Sequence, residues 1–218
     1  MNKNVILFDL DGTVTDPGLG ITNSILYALS RMGIDAPPRE ELYSFIGPPL
    51  LDALADRFHL TPEEARHAMG LYREYFAETG IFENEVYEGI PKMLTHLKNA
   101  GKSLMLATSK PEIFAKRILE HFSLASCFDF IGGSDMEQIR GTKAAVIEYV
   151  LQSTHTDPAA CVMVGDRSHD VLGAKAHGID TVGVLWGYGS EKELTDAGAL
   201  ALASAPHILE EILLYGKD

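Results

Sequence analysis

The sequence predicts an α/β protein: a mostly parallel sheet with helices between its strands, and a helical module inserted after the first strand. Three observations carry this. Short continuous apolar runs recur along the chain, as strands buried on both faces do. Segments with apolar residues at helical spacing lie between these runs, which implies βαβ units. From about residue 16 to 84 only helical patterns occur.

The first strand is read at Val5–Phe8, a run of four apolar residues that ends in acid and Gly. Helices with one apolar face follow: Ile21, Ile25, Leu29 and Met32, then Leu50, Leu51, Leu54 and Phe58. Thr61-Pro62-Glu63-Glu64 reads as a capping box with Pro at the first helical position, opening a helix that carries Ala65, Met69, Tyr72 and Phe76. Strands then recur at Ser103–Ala107, Phe128–Ile131, Cys161–Val164 and Asp180–Val184. Phe114, Ile118, Leu119 and Phe122 keep one helical face, as do Val146, Ile147, Val150 and Leu151. Pro111 and Pro158 sit where first helical residues belong, Pro158 after a capping Asp157. The expected organisation is an α/β core of residues 1–15 and 85–218, with a helical module at 16–84.

Composition narrows the function classes. The 218 residues include 18 Lys plus Arg against 31 Asp plus Glu, a formal charge of −13. Such a balance opposes coating a nucleic acid polymer or an anionic membrane, but a local basic cluster can still hold a small anion. Cys127 and Cys161 are 34 positions apart, which fits neither a disulfide scaffold nor a CxxC metal site. The start, MNKNVILFDLDG, is no signal peptide. No apolar run approaches the roughly 18 residues of a membrane span. The expected location is cytoplasmic.

Ligands of open parallel sheets gather at the carboxyl ends of the strands. Asp9-Leu10-Asp11-Gly12-Thr13 follows the first strand there, Thr108-Ser109-Lys110 the second, and Asp166-Arg167 with His169-Asp170 the strand CVMV. Lys143 opens the helix before that last strand. Asp at a strand end is also a common cap or turn residue, and Lys110 and Lys143 also read as solvated surface lysines. Asp166 and Asp170 share a face if a helix starts at Asp166. Like charges so spaced repel unless a cation neutralises them. Oxygen-only ligands point to a hard cation, and Mg²⁺ takes one or two carboxylates while keeping several waters. His169, between two acids, is the one histidine of interest. Gly187-Tyr188-Gly189 reads as a loop, because no GxGxxG context surrounds it.

These residues resemble the haloacid-dehalogenase-superfamily phosphatases over essentially the whole chain. DLDGT at 9–13, LATSK at 106–110, Lys143 and GDRSHD at 165–170 match the four family motifs in order. The resemblance implies a Rossmann-like parallel core with an inserted α-helical cap. It implies that Asp9 is the nucleophile and forms an aspartyl-phosphate, with Asp11 as general acid and base. It implies Mg²⁺ held by Asp9, the backbone carbonyl of Asp11, and Asp166, with Asp170 in the outer shell. Thr108, Ser109 and Lys143 are implied to hold the phosphoryl oxygens. Dehalogenases of the group lack the second acid, which is present here as Asp11.

FIGPPL at 45–50, TDP at 15–17, YREYF at 72–76 and LWGYGS at 185–190 resemble the bacterial branch grouped with cytosolic 5′-nucleotidases. Phosphoglycolate phosphatases are close relatives, and sugar-phosphate phosphomutases share all four motifs, so both stay as alternatives. Phe45 is the candidate contact to a base, and Arg39 to a second anionic group. The implied partner is a small phosphorylated metabolite, acted on by a monomer or homodimer. Two non-enzyme readings remain: a receiver-like phospho-acceptor, which needs no 70-residue helical insert, and a binding protein that has lost activity.

Overall fold

A computed structural model of the chain describes residues 3–137 and 139–216. It divides into two compact units, Met1–Thr15 with Val86–Asp218, and Asp16–Glu85.

Among the described residues of the first unit, six strands form one sheet: β1 Val5–Phe8, β2 Ser103–Pro111, β3 Phe130–Ser134, β4 Cys161–Gly165, β5 Asp180–Val184 and β6 Ala201–Ala203. Their order is β3-β2-β1-β4-β5-β6, and every neighbouring pair is parallel. The chain fills one side of β1 and then the other, so β1 and β4 flank a switch point at which the carboxyl ends open a crevice. Register explains the continuous apolar runs. Leu7 lies opposite Met105 on one side and Met163 on the other. That row packs on Val146, Ile147, Val150 and Leu151 of the helix Lys143–Thr154. Ile6 and Phe8, which project to the opposite face, are also fully buried. Helices cover both faces, so alternation of polar and apolar residues is absent.

Two local expectations are corrected. Pro111 is the last residue of β2 and the N-cap, and the helix starts at Glu112. Its ψ of 130° is extended, which a first helical residue cannot be. The helix after β4 spans Ser168–Lys175, so Asp166 lies before it and shares no helical face with Asp170. Asp157 does cap as read, accepting from the Ala159 N–H at 2.9 Å, but the turn it opens is a single 3₁₀ turn, Pro158–Ala160. Three strands went unread, as did the helices Ile90–Asn99, Glu191–Ala197 and Pro206–Tyr215. β6 has only three residues, and the two-residue strands Thr15–Asp16 and Glu85–Val86 pair where the chain passes between units. None of these strands is long enough to show a period.

The second unit is helical: Gly18–Met32, Arg39–Leu42, Leu50–Phe58 and Pro62–Tyr75, the last continuing as a wider turn over Phe76–Gly80. Ile21, Ile25 and Leu29 are buried, as are Ala65, Met69, Tyr72 and Phe76. The capping box at Thr61 is complete: the Glu64 N–H donates to Thr61 Oγ1, and the Thr61 N–H donates to Glu64. At Gly20 a Cβ would stand 1.9 Å from the Gly80 carbonyl oxygen, so helix and turn meet backbone to backbone.

Candidate active site

β1 delivers Asp9. Its N–H still donates to the Val164 carbonyl of β4 at 2.9 Å, which fixes it at the switch point. Beyond it the chain turns sharply. The N–H groups of Thr13, Val14 and Thr15 all donate to the Leu10 carbonyl. Gly12 takes φ +81°, and a Cβ there would stand 2.2 Å from Asp166 Oδ2, so the motif requires Gly on two grounds. β4 ends at Gly165 and delivers Asp166. The next helix brings Asp170 in its first turn, where its Oδ2 accepts the Arg167 N–H at 3.0 Å.

These elements bring together residues far apart in sequence. Asp9, Asp166 and Asp170 each offer an oxygen within 4.8 Å of the others, and all three are buried. Lys143, the first residue of its helix, reaches Asp9 Oδ1 and Asp170 Oδ1, both at 2.7 Å. It also donates to the Ala107 carbonyl at 3.0 Å. Burial alone would lower the Lys143 pKa, but attraction to Asp170 and Asp9 outweighs it and raises it.

The electrostatics are unbalanced. Three buried carboxylates face one ammonium. Burial, then repulsion from Asp170 and Asp9, pushes Asp166 well above the usual carboxylate range. Asp170 is pushed up to about 6, chiefly by burial, although Lys143 opposes this. A divalent cation is the charge that such a set lacks, and its all-oxygen chemistry suits a hard ion. The residues therefore fit Mg²⁺. Asp170 has one oxygen on Lys143 and the other on the Arg167 N–H, whereas Asp9 and Asp166 lie nearer the strand ends.

Lys110 is the residue that sequence reasoning undervalued. It is buried, and its Nζ is 2.9 Å from Asp11 Oδ2. The register between β2 and β3 shifts between Thr108 and Pro111, so Ser109 and Lys110 leave the ladder. Such a bulge beside a site re-aims side chains. Thr108 is buried and accepts the Lys110 N–H at 3.2 Å. Asp11 is raised above the usual carboxylate range by burial, against the lowering effect of Lys110, and its Oδ1 is buried without a hydrogen-bond partner.

Glu193 was missed altogether. It accepts from Arg167 Nε at 3.0 Å, from the Ser168 N–H at 2.8 Å and from Ser168 Oγ at 2.9 Å, anchoring the loop that carries Asp166. The signal was a capping-box pattern, Ser190 with Glu193 three positions on. Ser190 does cap the helix, accepting the Glu193 N–H at 3.1 Å, but the Glu193 carboxylate turns to the loop instead. His169 is exposed and is not one of the clustered groups.

Two candidate residues lie in the helical unit. Phe45 is buried, with its ring stacked on Phe58 at 5.9 Å between centroids. Arg39 donates to Thr22 Oγ1 and, at 2.8 Å, to Asn23 Oδ1, and Asn23 in turn donates to Glu83 at 2.9 Å.

The haloacid dehalogenase-like hydrolase family model matches residues 6–184. The chain belongs to this family. A Pseudomonas aeruginosa protein named 5′-nucleotidase is 46% identical over 87% of this chain and 86% of its own length. The tyrosine-protein kinase PtkA of Mycobacterium tuberculosis is 42% identical over 86% of this chain, which spans 64% of that protein's length. Among solved structures, a predicted phosphatase from Clostridium acetobutylicum superposes with a TM-score of 0.95 at 41% identity, covering 98% of this chain and 99% of that one. The family member described here is accordingly a phosphoric monoester hydrolase, with the α/β fold of its relatives.

Proposed function

We propose that this chain is a Mg²⁺-dependent phosphatase that hydrolyses small phosphate monoesters through an aspartyl-phosphate on Asp9, with nucleoside 5′-monophosphates as its first substrate class. The observation that carries the reading is the cluster at the switch point, in which one oxygen each of Asp9, Asp166 and Asp170 lies within 4.8 Å of the others, beside a Lys143 ion-paired to Asp9 and Asp170.

Asp9, the Asp11 carbonyl and Asp166 would hold Mg²⁺, and Asp170 would support them from the outer shell. When bound, the cation supplies positive charge against the phosphoryl oxygens and the carboxylates. Thr108, the Ser109 N–H and Lys143 would hold the remaining phosphoryl oxygens. An Asp9 carboxylate oxygen attacks phosphorus as the ester P–O bond breaks. Asp11 gives its proton to the leaving alkoxide, and its raised pKa favours that form. Asp11 then takes a proton from water, whose oxygen attacks phosphorus. The acyl-phosphate P–O bond breaks, and phosphate leaves with Asp9 restored.

The substrate class rests on the 46%-identical relative named 5′-nucleotidase. The helical unit is proposed as a cap that carries specificity, with Phe45 and Arg39 as its candidate contacts. A panel of nucleoside monophosphates, phosphoglycolate, sugar phosphates and phosphotyrosine, assayed for phosphate release with Mg²⁺ and with chelator, tests this. Nucleotides should lead by at least tenfold in kcat/KM. No Mg²⁺-dependent release from any member would overturn it.

A further inference from the structure

The segment Leu185–Ser190, which follows β5, has no part in the chemistry above, yet it closes on Asp166. The Tyr188 N–H donates to Asp166 Oδ2 at 2.8 Å. The other oxygen, Oδ1, accepts from Thr13 Oγ1 at 3.3 Å. Thr13 is itself held, because the Trp186 indole Nε1 donates to its carbonyl at 3.1 Å. Both oxygens of Asp166 are thus tied to this segment, one directly and one through Thr13. About two of a carboxylate's four acceptor positions are used in this way. One Asp166 oxygen still lies within 4.8 Å of oxygens of Asp9 and Asp170.

Close packing makes the arrangement rigid. A Cβ on Gly187 would stand 2.3 Å from the Gly12 carbonyl oxygen and 2.4 Å from both Cβ and Oδ2 of Asp166. On Gly189 it would stand 1.8 Å from the Asp166 carbonyl oxygen. A turn that only closed the sheet edge would need neither a main-chain N–H aimed at a buried carboxylate nor glycines against that same side chain.

We infer that Trp186–Gly189 is a clamp that fixes the Asp166 carboxylate in its cation-binding orientation, with Trp186 and Gly187 as positioning residues. The inference rests on the proposed role of Asp166 as a ligand. Supports of this kind typically govern metal affinity by about 10- to 100-fold. Trp186 would act through Thr13, and Gly187 by leaving room for the Asp166 carboxylate against Gly12.

The test uses the full chain and Mn²⁺ as the probe, with free ion counted by electron paramagnetic resonance. Trp186→Phe removes the indole N–H, at the cost of some ring volume, and keeps an aromatic side chain. It should weaken Mn²⁺ by about tenfold, leave the circular dichroism spectrum unchanged, and recover kcat at saturating metal while KM for substrate stays near wild type. Gly187→Ala should weaken Mn²⁺ further. If Gly187→Ala does not fold, Trp186→Phe decides alone. Folded variants with wild-type Mn²⁺ affinity would overturn the clamp and leave the metal reading standing. A wild-type chain that binds no Mn²⁺ would instead remove the metal reading, and the clamp with it.

Discussion

Lys110 Nζ stands 2.9 Å from Asp11 Oδ2, and both side chains are largely buried. The pair links a strand bulge to the proposed acid and base. Burial raises the Asp11 pKa and Lys110 lowers it. Lys110→Gln removes the lowering influence, so Asp11 should hold its proton to higher pH. An adjacent cation shifts a carboxylate by about 1–3 units. The alkaline limb of kcat/KM against pH, set by loss of the Asp11 proton, should therefore move up by at least about one unit in the variant. An unmoved limb would separate Lys110 from the proton chemistry.

Lys143 gives a second prediction. Lys143→Met leaves Asp9 and Asp170 facing each other without their shared cation. Breaking a buried ion pair by removing one partner costs about 3–5 kcal/mol. The deficit should depend on pH with a definite sign. Asp170 is already raised to about 6 in the folded chain. A carboxylate raised above its unfolded value loses stability as pH climbs from that value through the folded one. Loss of Lys143 extends that window upward. The drop in Tm relative to wild type should be large at pH 8 and smaller at pH 5, and equal drops at both would contradict the assigned pairing.

Much of this site was legible, for a physical reason. Strands buried on both faces announce themselves as apolar runs, and chemistry at a parallel sheet must lie just past their carboxyl ends. Asp9, Asp11, Thr108, Asp166 and Asp170 could be found in that way from residue order alone. Lys143 needed the resemblance, because a lysine at a helix start reads equally well as solvated. Lys110 was read wrongly toward the surface because its burial depends on a bulge, and a bulge depends on register with β3, which lies 20 residues further on. Glu193 acts through three tertiary hydrogen bonds across 25 and 26 positions, and Trp186 through one across 173. No local pattern encodes such a distance.

Mg²⁺ should raise Tm, and the gain should fall with pH. Ligand at about 100 times its Kd stabilises by about 2.7 kcal/mol. Protons compete for the same oxygens, and Asp166 and Asp170 both bind them more readily than ordinary carboxylates. The Mg²⁺-induced shift measured by scanning fluorimetry should be full near pH 8 and shrink through pH 6 toward pH 5. Asp166→Asn should abolish the shift. It also removes a repelling charge, so the metal-free variant should melt no lower than the metal-free wild type at pH 8.

Phe45 tests the division of labour in the helical unit. Its ring is 5% exposed and stacks on Phe58. Truncation to Ala leaves a cavity, at a cost of about 3–5 kcal/mol, and should lower Tm. Phe45→Leu preserves most of the volume and separates the roles. If the ring also meets a base, KM for nucleoside monophosphates should rise several-fold while KM for phosphoglycolate holds. Equal KM changes would confine Phe45 to packing.

In the proposed mechanism Asp9 and Asp11 differ by one chemical task, and paired variants can separate them. Asp9→Asn removes the attacking oxygen, so turnover should fall to background with no phosphoenzyme. Asp11→Asn keeps the nucleophile and, in the proposed arrangement, keeps the metal, because its contact there is a backbone carbonyl. General acid–base assistance contributes about 10²–10⁴-fold, and kcat should drop by that order. Both half-reactions need Asp11, but a substrate with a good leaving group needs no proton in the first. With p-nitrophenyl phosphate, Asp11→Asn should therefore release nitrophenol in a burst and then stall, with phosphate still on Asp9 in the mass spectrum of the quenched protein. A burst without bound phosphate would mean that water attacks the ester directly. Asp9 would then be a ligand only, and the covalent route would be lost.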